Sequence, residues 1–147
     1  MSDSFKTRPL RGAYRAHMDI PIARVVVEVT AKDLRRSADF YRLVGLDVPD
    51  ADGPHVEVDL PGGNRLAIDS EDVIAGMHPG WTAPTSAGRL ALALGLSKPS
   101  DVDALFERLT AAGHPGVLEP FDGPWGQRYA TVTDPDGTMV DLFAALG

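Results

Sequence analysis

The side chains able to do chemistry in this sequence are few and scattered. There are no cysteines, which removes a disulfide framework, a thiolate zinc site and a cysteine nucleophile together. Of the four histidines, His17 lies near the start, His78 in a Gly- and Pro-rich stretch, and His114 directly after a helix stop. Only His55 opens a strand-like run, where with Glu57 and Asp59 it can face a cavity opposite Val56 and Val58, or serve as a polar surface group. No serine sits in a nucleophile elbow and no glycine-rich loop is built for phosphate; Pro61-Gly62-Gly63-Asn64 reads as a hairpin turn. Trp125 stands in the turn-rich run Phe121-Asp122-Gly123-Pro124-Trp125-Gly126, and Trp81 in Met77-His78-Pro79-Gly80-Trp81. An indole in such a loop either packs on a sheet edge or stacks on a planar or cationic ligand.

Those groups must be positioned by elements that the hydrophobic pattern outlines. Val25, Val27 and Val29 alternate with polar or outward positions, as in a strand with one face in a core. Asp33 then reads as an N-cap, Leu34, Ala38, Tyr41 and Val44 follow at helical spacing, and Gly45 ends the helix. Strands are expected at Leu46–Val48, His55–Asp59 and Arg65–Asp69. After a loop over residues 70–88 the order repeats. Leu90, Leu92 and Leu94 alternate; Ser100 is placed as N-cap with Asp103 in a capping-box position; Val102, Phe106, Leu109 and Ala112 share a helix face; and Gly113 stops it. Strands follow near Gly116–Leu118, at Gln127–Thr133 and, past the turn Asp134-Pro135-Asp136-Gly137, at Thr138–Phe143. An offset of 68 carries Leu34, Ala38, Tyr41 and Gly45 onto Val102, Phe106, Leu109 and Gly113.

The fold class expected is α+β: two tandem βαβββ modules, about residues 21–69 and 89–145, forming curled mixed sheets around a cleft. Together they make one domain over residues 21–147, preceded by a flexible arm, residues 1–20. The arm carries Lys6, Arg8, Arg11 and Arg15 against Asp3 and Asp19, while the formal net charge of the 147-residue chain is −7. That acidic balance argues against nucleic acid, and the longest apolar run, Leu90–Leu94, is far short of the roughly 20 residues a membrane helix needs. With no signal-peptide pattern the chain is expected in the cytoplasm. Each half has too few strands to close on itself, so sheet edges are expected to pair between halves or subunits, leaving a cleft lined by both halves as the binding site.

Asp33-Leu34-Arg35-Arg36-Ser37-Ala38-Asp39-Phe40-Tyr41, Asp101-Val102-Asp103-Ala104-Leu105 and above all Pro124-Trp125-Gly126-Gln127-Arg128, followed by Asp134-Pro135-Asp136-Gly137, resemble the vicinal oxygen chelate superfamily. Glyoxalase I, extradiol dioxygenases and the fosfomycin- and bleomycin-resistance proteins belong to it. The resemblance implies, where chemistry occurs, a divalent metal held by four side chains, from each half's first strand and each half's last strand. By that phase the first-strand position falls on Arg24 and the second half's on Arg89, or Ala91 in a register shifted by two. None of these coordinates a metal. The last-strand positions fall on Ala67, with Asp69 on the same face, and on Asp141. At most two carboxylates remain, so no metal and no other cofactor is expected.

The resemblance therefore yields a ligand-facing set of Arg24, Asp69, Trp125, Arg128, Met139, Asp141 and Phe143. Asp141 can act as a base, accept from a ligand's cationic group, or pair with Arg24; Arg24 can pair or hold a ligand anion. Arg128 either braces its loop through Asp122 or reaches the ligand, and Trp81 can form a second aromatic wall. Two functions follow. One is metal-free binding of a small cationic or aromatic molecule, an antibiotic or metabolite, as in the bleomycin-resistance branch. The other is a metal-dependent lyase, isomerase or dioxygenase with altered ligands, recruiting Asp69, Asp141 and His55. A two-fold homodimer is expected from the same resemblance.

Overall fold

The computed structural model describes residue 20 and residues 22–85 and 88–147; the expected arm lies outside them apart from Ile20. Two sheets form as expected. The first holds β1 (Val26–Ala31), β2 (His55–Asp59) and β3 (Arg65–Ser70) in the order β1-β3-β2. The second holds β4 (Ala91–Gly95), β5 (Gly116–Gly123), β6 (Gln127–Thr133) and β7 (Met139–Ala145) in the order β4-β7-β6-β5. In each, the opening strand runs parallel to the last, and the last is antiparallel to the one before it.

Helices α1 (Leu34–Val44) and α3 (Pro99–Ala111) are the module helices, and one core runs through both modules. Asp33 caps α1 by accepting from the Arg36 amide. Ser37 and Phe40 join the expected Leu34, Ala38 and Tyr41 as the buried stripe of α1, with Val44 half-buried; Val102, Leu105 and Leu109 are that of α3. Two bonds bolt the modules: the Tyr41 hydroxyl donates to Asp134 Oδ2 at 2.8 Å, and the Lys32 amide donates to Asp136 Oδ1 at 3.0 Å. Phe40 meets His114 edge-on with ring centroids 4.7 Å apart.

The structure corrects several local expectations. Leu46–Val48 forms no ladder, because the Arg42 guanidinium reaches over and takes the carbonyls of Val48 and Pro49 at 2.9 and 2.5 Å. The fourth strand of the second sheet, β5, thus has no counterpart in the first. Ser100 is not the cap of α3: Pro99, with its φ preset for the first helical turn, starts the helix after Lys98. Ala112 is exposed, and Leu105 fills the core instead. The loop after β3 contains a further short helix, α2 (Glu71–Met77), capped by Ser70 Oγ. Val25 and Leu90 stand outside the ladders and are exposed, so the inward rows are Val27, Val29 and Ala31, and Leu92 and Leu94.

Candidate functional site

Alternation gives each sheet a helix-covered face and an open one. On the second sheet the register places Met139, Asp141 and Phe143 on the open face beside Thr133, Thr131 and Tyr129 of β6, Phe121 of β5, and Ala91 and Ala93 of β4. Thr131 Oγ1 donates to Asp141 Oδ1 at 2.7 Å. Burial, and then the Asp141 carboxylate, push the Tyr129 hydroxyl up to about 12, so it stays a neutral donor across the physiological range. Among the described residues no Lys, Arg or His forms an ion pair with Asp141. Arg24 lies before β1, exposed, and is not the partner of Asp141.

Above this carboxylate row stands an aromatic cluster. Trp125, in the hairpin between β5 and β6, meets Phe121 and Tyr129 edge-on with centroids 5.7 and 5.5 Å apart. Its indole N–H donates to Gln127 Oε1 at 2.9 Å. The indole lies so close over Gly123 that a Cβ there would come within 2.6 Å of the ring. Yet Trp125 is 56% exposed. It is held on one side and open on the other, the state of a ready stacking platform. Phe143 lies over Gly95 in a similar way, 3.1 Å from where a Cβ would stand.

Arg128 takes the bracing geometry of its two expected roles. Its guanidinium points to the helix side, with Nη2 bonded to Asp103 of α3 at 2.9 Å and Nη1 to Asp122 at 3.1 Å. It pins the Trp125 hairpin to α3 and stands away from the open face.

The open face of the first sheet is ionic and internally paired. His55 Nδ1 lies 2.5 Å from Asp69 Oδ1, and Nε2 lies 3.3 Å from Glu57 Oε1. Arg65 bridges Glu57 at 2.7 Å and Asp59 at 2.9 Å. The Asp69 hydrogen bond raises the His55 value above its ordinary one, with Glu57 adding to it and desolvation opposing. Between the sheets, β1 and the approach to β4 wall a cleft of about 830 Å³, with Trp81 beside it and Glu28 and Arg89 at its walls.

A family model described as the glyoxalase/bleomycin resistance protein/dioxygenase superfamily matches residues 22–142. The chain belongs to this superfamily. Solved members of similar shape include a glyoxalase/bleomycin resistance protein/dioxygenase from Nocardioides, at 26% identity and TM-score 0.68, with 91% of each chain covered. A glyoxalase-related enzyme from Fulvimarina pelagi shares 26% identity at TM-score 0.72, over 82% of this chain and 86% of its own. A family enzyme from Burkholderia phytofirmans PsJN, at 18% identity and TM-score 0.73 over 82% and 97%, shares the fold. No curated protein matches the chain in sequence.

The superfamily's metal needs donors on the open faces of β1, β3, β4 and β7. These offer Val26 and Glu28, Ala67 and Asp69, Ala91 and Ala93, and Asp141. The alanines have no donor, and Asp69 is tied to His55. Among the described residues no group of three or more His, Cys, Asp or Glu is arranged to hold an ion. The residues do not fit the metal. Arg24 and Arg89, expected on the opening strands, both stand before their ladders, because the register of β1 begins at Val26–Arg65 and that of β4 at Ala91–Met139.

Met139, Asp141 and Phe143 share the face on which Trp125 also acts; Asp69 belongs to the other sheet. Sequence reasoning did not single out Tyr129, Thr131, Phe121 or Gln127. The signal was present: folding the strands about Asp134–Gly137 brings Thr133 opposite Met139, and so Thr131 opposite Asp141.

Proposed function

We propose that this protein binds a small cationic, aromatic molecule, an antibiotic or a metabolite, on the open face of its second sheet and without a metal. It would do so as a cytoplasmic homodimer. The observation that carries the reading is Asp141, a carboxylate with no cationic partner among the described residues, set beneath the Trp125, Tyr129 and Phe121 cluster. A ligand cation would receive the charge of Asp141 while its planar body stacks on the open side of Trp125. Tyr129, kept protonated, would donate to a ligand acceptor or to Asp141 itself.

The test is a titration with proflavine, a planar cation at pH 7.5, followed by tryptophan emission, with acridine, neutral at that pH, as the control. A charge-assisted contact worth about 1.5–3 kcal/mol corresponds to roughly tenfold to 150-fold in affinity. Proflavine should bind that much more tightly than acridine, and Asp141→Asn should remove the difference. Equal affinities, or an unchanged proflavine affinity in Asp141→Asn, would overturn the reading. So would stoichiometric zinc or nickel in protein purified without chelators, if Asp141→Asn lost it.

A further inference from the structure

The two flanks of Asp141 differ. On the β6 flank stands Thr131, 5% exposed, whose hydroxyl occupies Oδ1, and behind it the Tyr129, Phe121 and Trp125 rings pack edge to edge. On the other flank β4 ends the sheet, and the ladder sets Ala93 beside Asp141, Ala91 beside Met139 and Gly95 beside Phe143. All three are exposed, and none carries more than a methyl group. A carboxylate offers about four lone-pair sites. The hydroxyls beside Asp141, those of Thr131 and Tyr129, both come from β6, so acceptor capacity remains on the β4 flank.

Phe143 bounds that flank. It stands two residues from Asp141 on the same face, about 6.6 Å along the strand. Its ring leans across to β4: the Cζ end lies 3.1 Å from where a Gly95 Cβ would stand, so a side chain at that position would push the ring away. The result is a shallow trough with Ala91 and Ala93 as its floor, the Asp141 carboxylate along one side and an aromatic ring across its end. A cation lying there meets a negative charge from the side and a π face from the end, while its hydrocarbon rests on methyl groups.

We propose, resting on the reading of Asp141 as the ligand's counter-ion, that the ligand is an arylalkyl amine. Its protonated primary or secondary nitrogen enters over β4 and donates an N–H to the free side of Asp141, while its aromatic body crosses Phe143 toward Trp125. The nitrogen must keep an N–H, because the contact Asp141 lacks is a charge-assisted hydrogen bond, which a quaternary ammonium cannot give. The arm that carries it must be slim, because the floor beside Asp141 has room for methylenes only as long as position 93 holds a methyl group. Ala93 is therefore the residue that sets how large a group reaches the carboxylate.

The probes are 3-phenylpropylammonium, whose ring and nitrogen suit the step from Phe143 to Asp141, and its N,N,N-trimethyl analogue, which keeps the charge and the ring but has no N–H. Isothermal titration of the full chain should find the primary amine bound at least about tenfold more tightly than the analogue. Ala93→Leu fills the floor beside Asp141 and should weaken the primary amine by at least about tenfold. Thr133→Leu adds bulk on the β6 flank instead and should leave its affinity within about twofold. If Ala93→Leu does not fold, Ala91→Leu makes the same comparison, and the contrast between the two probes needs no variant. Equal affinities for the two probes, or a loss in Thr133→Leu as large as that in Ala93→Leu, would overturn the proposal and leave the reading of Asp141 standing. So would no binding of the primary amine by protein that binds proflavine through Asp141. Proflavine binding that ignores Asp141→Asn would remove both.

Discussion

Removing a single oxygen tests how the modules are held together. Asp134 is 2% exposed, and its Oδ1 accepts from the amides of Asp136 and Thr138, each at 2.9 Å, closing the turn between β6 and β7. Its Oδ2 accepts from the Tyr41 hydroxyl, which belongs to the other module. Burial first, and then Asp134, hold that hydroxyl far above its ordinary value, so it donates at every accessible pH. Tyr41→Phe keeps the ring, including its edge-on contact with Phe40 at 5.0 Å, and leaves a buried carboxylate oxygen without a partner. The cost of losing a hydrogen bond to a charged group is about 1.5–3 kcal/mol. For a chain of this size that corresponds to a Tm lower by about 3–12 °C. Urea unfolding followed by circular dichroism should show a lower midpoint with an unchanged slope. Asp134→Asn should couple to Tyr41→Phe by at least about 1 kcal/mol in a double-mutant cycle. A loss below about 0.5 kcal/mol in Tyr41→Phe, the range of surface substitutions, would refute the idea that this bond joins the modules.

Two histidines should tilt stability in opposite directions with pH. His55, raised by Asp69, contributes stability fully present below about 6.5 and lost as pH rises through its higher folded value; His114, lowered by burial, contributes stability present above about 6.5 and lost as pH falls through its lower one. Chemical unfolding from pH 5 to 8.5 should find the alkaline slope reduced in His55→Gln and the acid slope reduced in His114→Gln; an unchanged alkaline slope would count against the His55–Asp69 pair, and an unchanged acid slope against the burial of His114. Gly123→Ala should displace the Trp125 ring, shifting its emission to the red and weakening proflavine binding several-fold; an unchanged emission maximum would show that Gly123 is not what seats the indole.

How much of this could be read beforehand depended on whether the cause was local. The stripe of α1, its Asp33 cap and the β6–β7 hairpin follow from spacing and turn residues within a few positions, and they formed as read. Leu46–Val48 has the composition of a strand, but the outcome was decided by an Arg42 side chain reaching six and seven residues along the chain. Asp141 was legible because a count from the turn glycine fixes its face. The same count puts Arg128 on the helix-covered face, and only its partner there, Asp103 on α3 and 25 residues away, lay beyond local reading. The bond between His55 and Asp69 likewise depends on the β2–β3 register, which the hairpin turn alone leaves open.

The pairing of the strands makes the two open faces comparable position by position. Val26 pairs with Arg65 as Ala91 pairs with Met139, so Ala67 corresponds to Asp141 and Asp69 to Phe143. Across the next ladder, Glu57 corresponds to Thr131 and His55 to Tyr129. The scaffold is repeated and the chemistry is not. In the first module the carboxylates have partners on the sheet, so a cation approaching Glu57 meets the Arg65 guanidinium already in place, and one approaching Asp69 meets the His55 imidazole bonded to it. In the second module Phe143 and Tyr129 stand where Asp69 and His55 would be, Thr131 and Met139 stand for Glu57 and Arg65, and Asp141 receives only the hydroxyls of neutral neighbours. Attraction for a cation is strongest where the charge is left uncompensated and the surroundings exclude water. On the proposed reading a ligand cation would therefore be received by the second module, and the first module's ladder, its carboxylates already partnered, would compete little for it.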